Sequence, residues 1–329
     1  MYNLIKEFPT QLRTAIEIGE KAYFKTTFPN GIRNVVACGL GGSGIGGDLL
    51  AELLRDELKV PVVVNKGYKL PAFVDSSSLL ILSSYSGNTE ETISCAEQAV
   101  ARGLKPVCVT SGGKLEEIAK ANNFDLITIP AGFPPRACLG YSGTQLFFIL
   151  KNFGLIGDGF VSAFAKSALL LETEQAQIMK EAAVLAEKLV HKVIIAYADE
   201  KYQSVALRLK QQVNENGKGK CWFNVFPEMN HNELVGWREA NSALGVVVLR
   251  ADDEYPRNTN RILFSEDVMR GICKDVYEIV AKGADTIEKH FYLIHYCDWV
   301  TWYLAEKGGY DAMEIDVLTK LKQHMASIK

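Results

Sequence analysis

The chain has 329 residues, 48% of them hydrophobic and 23% charged, with a formal net charge of −3. That length fits two domains with an ample core, and the near-neutral charge leaves no electrostatic footprint for nucleic acid or an anionic membrane surface. No apolar run reaches the roughly 18 residues of a membrane span, and the opening stretch Met1-Tyr-Asn-Leu-Ile-Lys-Glu-Phe8 has no signal-peptide layout, so a cytoplasmic location is expected.

Strand and helix patterns alternate from residue 34 onward. Short apolar runs at Val35–Cys38, Val60–Val64, Leu79–Ser83, Pro106–Thr110 and Leu126–Ile129 predict strands, with amphipathic helices near 44–57, 89–102 and 114–122 between them. Near-continuous Val/Ile/Leu strands alternating with helices predict an α/β fold whose mainly parallel sheet is flanked by helices on both faces. A Pro/Gly-rich break at Ala131–Ser142 leads into a helical run through about 152, and a Gly-rich stretch around Gly154 marks a domain boundary, dividing the chain into 1–154 and 155–329. A long helix over 162–189 follows, then a looser repeat of the same plan, with strands at Lys192–Ala196, Cys221–Phe226 and Gly245–Arg250. Helices near 259–281, 286–306 and 315–327 close the chain.

The seven cysteines (Cys38, Cys95, Cys108, Cys138, Cys221, Cys273, Cys297) form an odd set with no C-x-x-C pair, and most lie in apolar runs. They read as reduced core residues. The five histidines are scattered without metal-ligand spacing, so no metal site is expected.

Two turns carry the chemistry. In Val35-Val-Ala-Cys-Gly-Leu-Gly-Gly-Ser-Gly44 and Leu80-Ile-Leu-Ser-Ser-Tyr-Ser-Gly-Asn-Thr89, a strand ends in small hydroxyl and glycine residues and then becomes a helix. Helix N-termini present unpaired amides and a positive dipole end, which favour anions. Gly39-Leu-Gly-Gly-Ser-Gly44 formally fits a dinucleotide fingerprint, but the next strand ends Val63-Val-Asn-Lys-Gly67 without the carboxylate a ribose requires. A Walker loop fails as well, because Gly47 is followed by Asp48 where that motif needs lysine. One helix cap needs one hydroxyl, whereas the second turn holds four within seven residues. Both turns are expected to converge on one phosphate at the carboxyl ends of their strands.

The pair Gly41-Gly-Ser-Gly44 and Ser84-Tyr-Ser-Gly-Asn-Thr-Glu-Glu-Thr92 resembles the SIS-domain sugar isomerases. With Pro135-Arg136, Asn214-Glu-Asn216 and Pro227-Glu-Met-Asn-His-Asn-Glu-Leu-Val-Gly-Trp237, nearly the whole chain resembles the bifunctional phosphoglucose/phosphomannose isomerases of the phosphoglucose isomerase superfamily. The resemblance implies two SIS domains, each a three-layer αβα unit. It also implies a homodimer with a shared active site, and aldose–ketose isomerisation of a sugar 6-phosphate without metal or organic cofactor. It places phosphate on Gly42, Ser43, Ser84, Ser86 and Thr89. Arg136 and the base Glu215 take their roles from it, as does the ring-opening His231, which it assigns to the partner's site. A C-terminal lysine also reaches the site in that family; Lys322 matches, with Lys320 an alternative.

These residue types suit the chemistry. Moving a hydrogen between C1 and C2 needs one base that takes a proton and returns it, as a carboxylate can. Opening a sugar ring suits histidine, whose ordinary pKa lies near working pH. A permanently charged arginine stabilises the enediolate oxygen. Three other readings compete: an isomerase for an amino sugar or pentulose phosphate, a non-catalytic sugar-phosphate sensor, and a dehydrogenase weakened by the missing acid. His290, His295 and the four tryptophans read as packing or interface residues, and Glu228 or Glu233 could orient His231.

Overall fold

The computed structural model describes residues 1–328. The elements run α1 (Tyr2–Lys6), α2 (Phe8–Glu20), β1 (Asn34–Cys38), α3 (Gly41–Leu53), β2 (Val62–Asn65), β3 (Ser78–Ser83), α4 (Glu90–Ala101), β4 (Val107–Thr110), α5 (Gly113–Ala121), β5 (Asp125–Thr128) and α6 (Leu139–Asn152). The second half runs α7 (Gly159–Leu189), β6 (Val193–Asp199), α8 (Gln203–Glu215), β7 (Cys221–Phe226), β8 (Leu244–Arg250), α9 (Pro256–Ile272), β9 (Val276–Val280), α10 (Thr286–Gly308) and α11 (Asp316–Ser327).

Among the described residues these strands make two sheets, β2-β1-β3-β4-β5 and β7-β6-β8-β9, with every pairing parallel. All six residues of β3 are buried, as a strand covered on both faces requires. In the first sheet the order reverses between β1 and β3, which opens a crevice at their carboxyl ends. Register pairs Cys38 with Leu82, so the turns after these two strands leave the sheet side by side.

One apolar core runs from the first sheet to the second through α2, α6, α7, α8 and α10. Phe164 of α7 meets Phe291 of α10 edge-on at 5.1 Å, a geometry aromatic pairs favour. Emptying such a site costs about 3–5 kcal/mol. All seven cysteines are free and buried, and burial pushes the thiols of Cys108, Cys138 and Cys221 up to about 12. No helix among the described residues is long and apolar enough to cross a membrane.

The structure corrects the expected helix over 259–281. It ends at Ile272, and Val276–Val280 is β9, the edge strand of the second sheet. The first glycine-rich stretch also differs from expectation, because α3 begins at Gly41 rather than near 44 and takes the glycines into its first turns. Close packing compensates their poor helix propensity. A Cβ built on Gly42 would lie 3.0 Å from the Pro135 carbonyl, and one on Gly39 only 2.9 Å from the Ser83 carbonyl.

Candidate active site

Helices α3 and α8 come from different halves and pack antiparallel. At one end, Glu52 of α3 accepts from the backbone N–H of Ser204 at 2.6 Å and from its hydroxyl. At the other end, Gly41 and Gly42 share a cavity wall with Asn214 and Glu215. The anion-favouring N-terminus of α3 thus faces the C-terminus of α8, where Glu215 is the last helical residue.

This cavity, of about 550 Å³, is also lined by Arg136, Arg208, Lys218 and the segment from Glu314 to Leu318. Arg136 is 4% exposed and sits in a short 3-10 turn that Pro135 opens. Its Nε donates to Asn216 Oδ1 at 2.7 Å, its Nη1 to Glu215 Oε1 at 3.1 Å, and its Nη2 to the Ala312 carbonyl at 2.7 Å. The guanidinium therefore orients the Glu215 carboxylate, which keeps about a third of its surface open to the cavity.

Below this pair lies a buried support. Arg208 donates to Asp298 through Nε at 3.2 Å and Nη2 at 2.6 Å, and its Nη2 also donates to the Arg136 carbonyl at 3.1 Å. Gln212 donates to Asp298 at 3.2 Å, and Asn216 donates to Thr301 Oγ1 at 3.2 Å. Sequence reading missed this support, since the partners lie 72 to 90 positions apart and no local pattern links them.

The phosphate-type residues cluster at the β1–β3 crevice. Ser43 is the third residue of α3 and is buried; Ser84 Oγ and Thr89 Oγ1 share a hydrogen bond at 2.8 Å; Ser86 is exposed, its Oγ accepting from the Asn88 N–H at 3.2 Å. Gly42 links this crevice to the cavity, whose wall does not itself include the four hydroxyl residues.

Two expected residues are not brought to Glu215. His231 is exposed in the turn after β7, whereas Glu215 lies just before the start of β7. Six strand residues at about 3.3 Å each set roughly 20 Å between those ends. Neither flanking acid holds the imidazole: Glu233 accepts from the Tyr197 hydroxyl and from Asn224 at 2.6 Å, and Glu228 accepts from Asn232 at 3.0 Å. Lys320 and Lys322 are exposed on α11, past the point where the cavity wall ends at Leu318. The bland reading of the other histidines holds. His290 is buried against Tyr202 with ring centroids 4.3 Å apart, and burial lowers the His295 pKa to about 3.

Residues 178–325 match the family model described as the bacterial phospho-glucose isomerase C-terminal SIS domain. The bifunctional phosphoglucose/phosphomannose isomerase of Caldicellulosiruptor bescii is 38% identical over all of both chains. The chain belongs to the bifunctional phosphoglucose/phosphomannose isomerase family. Its relative of that name in Aquifex aeolicus is 35% identical, covering 89% of this chain and 90% of its own. The C-terminal domain of glucosamine-fructose-6-phosphate aminotransferase from Francisella tularensis shares the fold, with a TM-score of 0.75 at 13% identity over 95% of this chain and 98% of that one.

Proposed function

We propose that the protein interconverts glucose 6-phosphate, mannose 6-phosphate or both with fructose 6-phosphate through a cis-enediolate. The observation that carries this reading is the Glu215 carboxylate, oriented by Arg136 at 3.1 Å and open to a cavity that the N-terminus of α3 also lines. Glu215 is the base that takes the proton from one carbon and returns it to the next. Arg136 stabilises the enediolate oxygen from the same side. The phosphate is assigned to Gly42, Ser43, Ser84, Ser86 and Thr89, and the C-terminal lysine to Lys322 on α11.

The ring-opening histidine is assigned to a second copy of the chain. A homodimer in which His231 of the partner subunit enters the Glu215 cavity fits the placement of these residues beyond opposite ends of β7 in one chain. The exposed apolar side chains of α11, among them Val317, Leu321 and Met325, favour such burial. We place the boundary between a phosphate-holding domain, 1–154, and a domain carrying Glu215 and His231, 155–329, in the connection between α6 and α7. Seven free thiols fit a reducing, cytoplasmic setting.

The test is NMR of fructose 6-phosphate with the protein in deuterated water. Deuterium at C2 of newly formed glucose or mannose 6-phosphate is the expected result. A substrate that is bound but unchanged would leave a sugar-phosphate sensor instead.

A further inference from the structure

Three successive backbone carbonyls between α10 and α11 are held by cationic side chains from the catalytic cavity. Arg136 Nη2 donates to Ala312 at 2.7 Å and to Met313 at 3.4 Å. Lys218 Nζ donates to Glu314 at 2.5 Å. The same ammonium donates to the carbonyl of Glu215 at 2.6 Å. Lys218 therefore ties the last residue of α8, which carries the catalytic carboxylate, to the segment from which α11 departs.

The local structure is built around this contact. A helix C-terminus leaves carbonyls without intrahelical partners, and Glu215 contributes one of them. Lys218 satisfies it by turning back over the helix end, which its backbone permits by taking φ +55°, a left-handed conformation uncommon outside glycine. Gly217 and Gly219 flank it, yet the left-handed position is given to the lysine. Its side chain is only 17% exposed. Burial lowers the ammonium pKa, and the Arg136 charge lowers it further against the raising effect of Glu314.

Little else attaches the rim. Every residue of α11 is exposed, and in the preceding segment Ala312 is buried and Ile315 half-buried. Glu314, Ile315, Val317 and Leu318 nevertheless form one side of the cavity that holds Glu215. We propose that Lys218 is a positioning residue: its ammonium clamps the 312–315 connection to the end of α8, fixing α11 over the cavity and holding the Glu215 backbone where its carboxylate meets Arg136. This rests on the reading of Glu215 as the base, and it makes one side chain hold both the rim and the base in place.

The experiment compares Lys218→Met, which keeps length and apolar volume but removes the donors, with Lys218→Arg, which restores donors. Hydrogen exchange of amides 312–318 is read beside steady-state kinetics. In Lys218→Met, exchange is expected to rise across 312–318 while the sheets keep wild-type protection. Its kcat should fall about tenfold to a hundredfold, the scale of a small misplacement of a reacting group, with a smaller change in KM. Lys218→Arg should recover most of both. Unchanged exchange at 312–318 in Lys218→Met overturns the clamp, as does a loss shared equally by the sheets and not rescued by arginine. The exchange readout stands without turnover, so an inactive wild-type protein would overturn the isomerase reading and not the clamp.

Discussion

The two sheets repeat one plan and use it in opposite ways. β1 and β6 are each flanked by the strand that follows in sequence and by the next one along, and β3 and β8 stand beside them. After β1 the chain reads Gly39-Leu-Gly-Gly-Ser43; after β6 it reads Glu200-Lys-Tyr202, with Asp199 ending the strand. After β3 come Ser84 and Ser86; after β8 come Asp252, Asp253 and Glu254. The first crevice offers hydroxyls and a helix N-terminus to an anion, whereas the second is filled with acids that already have partners. Asp199 accepts from the Lys201 N–H and from Asn258, each at 2.9 Å. Asp253 accepts from Tyr202 and Lys201, each at 2.6 Å, and from Thr286 at 2.8 Å. Burial alone would raise the Asp253 pKa, but these donors outweigh it and hold the carboxyl well below the ordinary range. One topology thus yields the proposed anion site and a closed structural network. The second half contributes to the cavity from the far end of α8, the helix that follows β6, through Glu215.

Substitutions that break this division of labour should differ in kind. The largest effect belongs to Glu215→Gln, which removes the proposed base and keeps the shape. Turnover should fall about 10²–10⁴-fold with KM little changed, and near-normal turnover would remove Glu215 from the mechanism. Next comes a paired contrast between the crevices. Ser84→Ala with Ser86→Ala should raise KM for the sugar phosphate about a hundredfold or more, since each of the two hydroxyls lost from an anion is worth about 1.5–3 kcal/mol. Asp253→Ala should leave KM unchanged and lower the unfolding free energy by about 1–3 kcal/mol. Equal KM effects from the two crevices would erase the distinction.

The smallest effect concerns the far edge of the second sheet. Glu266 is buried between Arg270 at 3.4 Å and Arg250 at 3.8 Å, and burial with the nearby Glu278 raises its pKa from 4.5 to about 7. The folded state therefore holds a proton that the unfolded chain releases between those values. Stability from this group is present below pH 4.5 and is lost as pH rises through 7. Glu266→Gln should flatten that part of the stability curve and stabilise at pH 8, as read from urea midpoints against pH.

Local signals set what could be read in advance. The strands of the first sheet are apolar runs bounded by turns, with β1, β3 and β4 almost wholly buried, and their positions agree with the structure to within about two residues. The edge strand Val276–Val280 was hidden because only Val276 and Ile279 are buried, which leaves neither strict alternation nor a continuous run. Residues 1–33 gave no assigned element, although Phe8, Leu12 and Ala15 line one face of α2. In the cavity, Glu215 and Arg136 were recognisable from their flanking residues. The Arg208–Asp298 support and the carbonyls of 312–314 were not, since they join residues 90 to 176 positions apart that only tertiary packing brings together. A backbone carbonyl, moreover, carries no side-chain identity.

The measurement that bears most directly on the proposal of a shared cavity mixes two chains expected to be inactive, Glu215→Gln and His231→Ala, under conditions that let subunits exchange. If the partner supplies His231, each mixed dimer regains one intact site. Half of the dimers are mixed, so activity should rise to about a quarter of wild type. A mixture no more active than its separate components would contradict a cavity completed by a second copy.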